Sequence, residues 1–240
     1  MTAIPILMYH HVAPVPPGLR GLRGLFVTPG AFARQMRLLK LLGFRGVSMG
    51  EAEPHLRGEA TGRVAVITLD DGYVDNLEHA LPVLKRHGFT ATCYAVSAAP
   101  GGSNRWDEER AGVLSPIMQA AQLRAWHEAG MEVGAHSRTH VHLPRCGDAA
   151  LADEVAGCKR ELEDALGAEV TQFCYPYGDH DERVIEAVRR AGYRAATTTR
   201  RGRARPGGDP LRWPRVPISN RHLLPQVALR LVSSYEDRHA

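Results

Sequence analysis

Short apolar runs alternate with amphipathic segments along most of this chain. Ile4 to Met8 is an apolar run ending in Tyr9-His10-His11-Val12, so a first strand delivers two histidines to its C-terminal end. Pro14 to Leu25, rich in Pro, Gly and Arg, reads as an exposed loop. Thr28 is placed as an N-cap with Pro29 at the first helical position, and Phe32, Met36, Leu39 and Leu42 recur at helical spacing before Gly43. A short extended piece near Val47-Ser48-Met49 leads on to Val64–Ile67. That β-branched run reads as a strand buried on both faces, continuing without a polar break into Thr68-Leu69-Asp70-Asp71-Gly72.

Val74 to His87 reads as a helix with Leu77, Leu81 and Leu84 inward, closed by Gly88, and Thr90 to Val96 as the next strand. Ser97 to Ser115 is a loop long enough to wall a cleft. A helix from Pro116 to Ala129 precedes a strand, Met131 to Ala135, that delivers His136-Ser137-Arg138-Thr139-His140. Leu151, Val155, Cys158, Leu162 and Leu166 mark one face of a long helix ended by Gly167. Val170 to Tyr175 is a strand ending in Pro176-Tyr177-Gly178, Asp181 to Ala191 a helix, Tyr193 to Thr198 a strand and Arg215 to Ile218 a last short strand. The alternation has no shift in composition and no repeat. It predicts one α/β domain over 1–240, with a core at about 4–218, a C-terminal helical extension at 219–240 and a mostly parallel sheet closing like a barrel.

A chain of 240 residues can bury a full core without staples. No apolar stretch reaches bilayer length, and the N-terminus has neither a basic region nor a small-residue cleavage site, so the expected location is cytoplasmic. Cys93, Cys146, Cys158 and Cys174 form no Cys-x-x-Cys pair, which argues against a disulfide framework and a structural zinc site. The net charge of +4 invites a nucleic-acid reading. However, the densest basic tract, Arg200, Arg201, Arg203 and Arg205, lies among glycines and a proline without interleaved aromatics. It reads as a solvated loop, so no nucleic-acid partner is expected.

Four strand ends present Asp70-Asp71, His136 with His140, Tyr175-Pro176-Tyr177, and His10-His11. Alone, Asp70-Asp71-Gly72 reads equally well as a solvent-exposed turn, and any one of the 12 histidines as structural. Together they offer a carboxylate and two imidazoles, a common ligand set for a divalent transition metal, with a second carboxylate free to act as a base.

Thr68-Leu69-Asp70-Asp71-Gly72 and His136-Ser-Arg-Thr-His140, with Tyr175-Pro176-Tyr177-Gly178, resemble the NodB-homology polysaccharide deacetylases, carbohydrate esterase family 4, over roughly residues 4–218. The resemblance implies a distorted (β/α) barrel that removes acetyl groups from N-acetylated sugars. It implies Asp70 as general base and Asp71, His136 and His140 as ligands of a divalent metal, most simply Zn2+, with Co2+, Ni2+ or Mn2+ as alternatives. It also gives the backbone N–H of Tyr177 to the oxyanion. The family's C-terminal Leu-x-His motif is absent. Met8-Tyr9-His10-His11-Val12 instead resembles the start of the circularly permuted exopolysaccharide deacetylases, which implies His10, or alternatively His11, as the acid.

Cys174 stands where the family often carries an arginine that orients the base. A cysteine cannot make that bidentate contact, and Arg215 is the candidate to supply it. Trp106, Tyr175, Pro176, Trp213 and Arg215 are the expected substrate-side residues. The competing readings are a metal-dependent amidase or ester deacetylase acting on another acyl substrate, and a carbohydrate-binding pseudoenzyme.

Overall fold

Along Val64–Leu69 every residue is buried, and the two faces of the strand go to different cores. Val64 and Val66 join Ile6, Tyr94, Cys174 and Trp213 in one cluster, while Ala65, Ile67 and Leu69 join a larger one with Leu7, Tyr9, Phe32 and Leu84. A strand whose alternate side chains enter two different cores belongs to a barrel wall, with one core inside and the other beneath surrounding helices. Burying an Ile or Leu on either face contributes roughly 1.5–3 kcal/mol.

The computed structural model describes residues 2–238. Its strands are β1 (Ile6–Tyr9), β2 (Arg45–Val47), β3 (Val64–Leu69), β4 (Thr92–Ala95), β5 (Glu132–Ala135), β6 (Gln172–Cys174), β7 (Ala195–Arg201) and β8 (Trp213–Pro217). Its helices are α1 (Pro29–Leu41), α2 (Met49–Leu56), α3 (Leu81–His87), α4 (Glu108–Ala111), α5 (Ala120–Glu128), α6 (Asp148–Ala152), α7 (Cys158–Leu166), α8 (Glu182–Arg190) and α9 (Leu224–Val232). The strands pair in the order β1-β8-β7-β6-β5-β4-β3, and β1 pairs with β3 to close a seven-stranded parallel ring, with β2 outside it along the start of β3. Met49, Ala52 and Leu56 of α2 pack with the inner cluster. Gly134 leaves the inner space that Tyr94 fills, since a Cβ there would lie 2.5 Å from the Tyr94 ring. This is the distorted (β/α) barrel expected from the sequence.

Local differences from the expected elements have local causes. Residues 14–25 are not simply exposed: Leu19 and Phe26 are buried with Ala111, and Leu22 and Leu25 pack against them, because this loop docks on α4. The helix before Gly88 begins with a π-helical turn, Asn76–Ala80, which rotates its buried face to Asn76, Ala80, Val83 and Leu84 and leaves Leu77 and Leu81 half-buried. The 97–115 segment contains a 3-10 turn, Arg105–Asp107, followed by α4. Pro116–Gln119 stay outside α5 because Ile117 bridges Tyr73 and the Met118 N–H donates to the Gly72 carbonyl.

The arginine tract is not a solvated loop either. Arg200 and Arg201 end β7, Arg201 pairs with Glu236 at 2.9 Å, and Arg203 pairs with Asp237 at 2.7 Å, tying the tract to the C-terminal segment. The expected extension at 219–240 is helical at α9 and in the turn Glu236–Arg238; residues 239–240 lie outside the described residues. Among the described residues, no helix is long and apolar enough to cross a membrane.

Candidate active site

Asp70 follows β3 in the phase of Val64, Val66 and Thr68, which points it into the barrel. Strict alternation would send Asp71 to the outer face. Instead, Asp71 and Gly72 both take φ of +75°, and both aspartates line one cavity of about 160 Å³ at the C-terminal ends of the strands. Asp71, His140, Tyr177, Leu22 and Ser137 are the non-glycine residues with positive φ among those described, and the first four line that cavity. Such conformations cost of order 1–3 kcal/mol each and persist where surrounding contacts over-determine them. One such contact is the bond from the His140 N–H to the Ser137 hydroxyl oxygen, at 3.0 Å. Gly178 is required for a different reason: a Cβ there would lie 2.0 Å from the Thr199 hydroxyl oxygen.

The Asp71 Oδ1 atom is buried without a hydrogen-bond partner and lies 3.4 Å from both His136 Nε2 and His140 Nε2. The Cys174 carbonyl lies 2.7 Å from His136 Nδ1 and can only accept, so His136 carries its proton on Nδ1 and presents Nε2 to Asp71. An orphaned carboxylate oxygen facing two imidazole nitrogens, all buried, fits a divalent transition cation. Asp70, His136 and Cys174 form a second compact group, but both Asp70 oxygens are already occupied by Arg215. Burial pulls the Asp71 carboxyl up, yet the facing imidazoles of His136 and His140 hold it well below the usual carboxylate range.

Asp70 has a different environment. Arg215 Nη1 donates to its Oδ1 at 2.7 Å and Arg215 Nη2 to its Oδ2 at 2.8 Å. The rest of the guanidinium is satisfied by the Thr198 carbonyl, the Thr68 hydroxyl and the Cys174 sulfur, the last at 3.2 Å. Burial again pulls the Asp70 carboxyl up, and Arg215, followed by His10, holds it below its ordinary value. His10 Nε2 lies 3.8 Å from Asp70 Oδ2, and burial lowers the His10 imidazole below its usual value despite the two carboxylates. His11 is elsewhere: its ring is stacked between Phe26 and Tyr73, and its Nδ1 lies 2.7 Å from Asp75 Oδ2. The structure therefore brings His10, and not His11, to the cavity.

The expected substrate-side residues divide. Tyr177 and Arg215 line the cavity, and so does Tyr175, although its side chain is fully buried and its hydroxyl donates to the Leu211 carbonyl at 3.0 Å. Pro176 is buried beside them without lining it. Trp106 stacks on the His140 ring at 4.7 Å, bracing that imidazole from behind. Trp213 is a correction. It is 4 % exposed in the inner core with Ala204 and Ile4, and does not line this cavity. Leu22, Leu25, Asp107, Arg110 and Thr199 do line it and carry no motif in the sequence; only the length of the 97–115 loop pointed towards two of them.

The chain is similar in sequence and fold to known proteins. A family model described as polysaccharide deacetylase matches residues 57–196. YxkH of Bacillus subtilis (strain 168), which carries that family's name, is 27% identical over 203 residues, covering 84% of this chain. The match covers 66% of YxkH, so the chain spans just under two thirds of that relative. Among solved structures, IcaB from Ammonifex degensii is 25% identical with a TM-score of 0.83, over 96% of this chain and 97% of that one. BC0361, a polysaccharide deacetylase from Bacillus cereus, is 25% identical with a TM-score of 0.80, over 96% and 69% of the respective chains.

Proposed function

Because the chain belongs to the polysaccharide deacetylase family, we propose that it hydrolyses the acetamide of N-acetylated sugars, with a divalent transition cation held by Asp71, His136 and His140. The observation that carries this reading is the opposite treatment of two adjacent carboxylates. Asp70 is clamped by a guanidinium, whereas Asp71 turns an unpartnered oxygen towards two imidazoles. Zinc suits the N2O donor set, and cobalt, nickel and manganese are the alternatives. When bound, such a cation supplies Lewis acidity, polarising an acyl carbonyl and acidifying a water.

Asp70 takes the proton of the attacking water. Arg215 fixes the carboxylate plane and keeps it ionised, so the base is ready at neutral pH. The Tyr177 backbone N–H, set by a left-handed turn, donates to the oxyanion of the tetrahedral acyl intermediate. His10 gives its proton to the departing sugar amine, from the Asp70 side of the cavity. The test is acetate release from N-acetylglucosamine oligomers by chelated protein, metal-restored protein and Asp70→Asn. Release that needs metal and is lost in Asp70→Asn at unchanged metal content supports the reading. Release that survives chelation, or persists in Asp70→Asn, overturns it.

A further inference from the structure

Asp107 is an acid in the cavity for which the chemistry above has no use. Its side chain is 8% exposed and lines the cavity between Arg110 and the two hydrophobic residues Leu22 and Leu25. The bland account of an aspartate at this position is a helix cap, since Asp107 is the N-cap residue of α4. Its side chain makes no capping bond, however, and its φ of −106° with ψ of 0° is not the extended conformation of an ordinary N-cap. Among the described residues no donor lies within hydrogen-bonding distance of its carboxylate. The nearest opposite charge is Arg110 Nη1 at 4.0 Å, on a side chain that is 63% exposed.

The other two acids of the cavity already have roles, Asp70 clamped by Arg215 and Asp71 facing the imidazoles as a proposed metal ligand. A carboxylate that faces the cavity and has no donor from the protein takes its hydrogen bonds from whatever occupies the cavity. The place of arrival is constrained. Asp107 follows Trp106, whose indole covers His140, so its carboxylate stands on the wall of the cavity beside the proposed metal ligands. In a sugar bearing an acetamide, the donors near the acyl carbon are the amide N–H, which sits on the bond to be cleaved and faces His10 as the departing amine, and the ring hydroxyls, which are left for Asp107.

We infer that Asp107 is a specificity-determining residue that accepts a hydrogen bond from a ring hydroxyl of the sugar whose acetamide is attacked. This rests on the deacetylase reading and adds to it the element that distinguishes a sugar from any other acetylated molecule. A hydrogen bond to a charged acceptor contributes enough that its loss costs about 10- to 100-fold in binding. The cost should fall on hydroxyl-bearing substrates in particular.

The experiment compares wild type, Asp107→Ala and Asp107→Asn on tri-N-acetylchitotriose and on 4-nitrophenyl acetate, which has no sugar hydroxyls, with metal content measured in each preparation. Expected is a fall of about 10- to 100-fold in the ratio of kcat/KM for the sugar to kcat/KM for the ester in Asp107→Ala, carried by a raised KM. Partial recovery is expected in Asp107→Asn, whose amide oxygen still accepts. Binding of the trisaccharide, followed by tryptophan fluorescence through the neighbouring Trp106, should weaken in the same order. An unchanged ratio, whether both activities fall together or neither does, overturns the role of Asp107 and leaves the deacetylase reading standing. A wild type that neither binds nor hydrolyses the trisaccharide overturns the sugar reading and this inference with it.

Discussion

Arg215, from β8, holds both carboxylate oxygens of Asp70 at 2.7 and 2.8 Å across 145 residues of sequence. Cys174 lies at the point where this guanidinium passes, with its sulfur 3.2 Å from Nη2. A small residue on β6 and a long one on β8 thus fill the space that an arginine on β6 would otherwise occupy. Arg215→Ala leaves a buried carboxylate unpaired, which should destabilise the protein by about 3–5 kcal/mol and lower turnover by about 100-fold through a misplaced base. Cys174→Arg alone would crowd two guanidinium groups together and should also destabilise. Cys174→Arg combined with Arg215→Ala should recover part of both losses. Urea unfolding and acetate release measure these effects, and a double variant no better than Arg215→Ala would refute the exchange.

The same pair sets a pH dependence. The folded-state pKa of Asp70 is depressed, so its contribution to stability is present above the unfolded value of about 3.9 and is lost as pH falls through the folded value. The penalty of Arg215→Ala should therefore be largest near neutral pH and shrink as pH falls, first where the orphaned carboxyl, raised by burial, takes a proton above about pH 4, and further below about pH 4, where the wild-type pair loses its own contribution. Unfolding free energies of wild type and variant at pH 7 and pH 4 decide the point. A penalty that grows in acid would contradict it.

His10 and His11 are adjacent but have different surroundings. His10 lines the cavity 3.8 Å from Asp70, whereas His11 is stacked between two rings and bound to Asp75. His10→Ala should lower turnover by about 100- to 10,000-fold, in the range of a lost general acid, with little change in stability. His11→Ala should cost stability first, by about 2–4 kcal/mol from lost packing and one unpaired oxygen of Asp75. Thermal melts beside initial rates separate the two, and equal losses of stability would show the assignment to be wrong.

Much of the site was legible because strands have a period of two and helices do not interrupt it here. Val64, Val66, Thr68 and Asp70 share a face by simple alternation, and His136 with His140 follow directly on β5. Alternation gives the face and not the depth along the barrel. Trp213 and Arg215 share the inner face of β8, but two residues of strand separate their levels by about 6–7 Å. Arg215 therefore meets Asp70, while Trp213 stays below in the inner core. The positive φ of Asp71 could not be read from its residue type, because it depends on Gly72 closing against Ala95, where a Cβ would sit 3.4 Å from the Ala95 Cα. Asp107 carries no periodic signal, since its position comes from the docking of two irregular loops.

Metal binding should appear as stability. Asp71, His136 and His140 are buried and face one another, so a cation that binds the folded chain alone adds RT ln(1 + [L]/Kd), about 4 kcal/mol at a thousand times Kd. Chelated protein should melt several degrees lower than protein supplied with zinc, and Asp71→Asn should lose most of that difference. A melting temperature indifferent to chelator in protein shown to have carried metal would argue against this ligand set.

Cysteine reactivity tests whether the barrel is closed as described. All four cysteines are free thiols, and Cys93, Cys158 and Cys174 are buried while Cys146 is half-buried. Burial pushes the Cys158 thiol up to about 12 and raises Cys93 further still, so at neutral pH neither offers a thiolate or a path for a reagent. Cys174 is enclosed by Arg215 and Asp70 inside the ring. Native protein should therefore release one equivalent of thionitrobenzoate from an aromatic disulfide reagent within minutes, from Cys146, and four after unfolding in guanidinium. Burial also raises the Cys146 thiol, so its reaction should run slower than that of a free thiol and accelerate as pH rises. A fast second equivalent from Cys174 would mean that the ring opens at β6, and the clamp of Arg215 on Asp70 would then be an intermittent contact and not a fixed feature of the site.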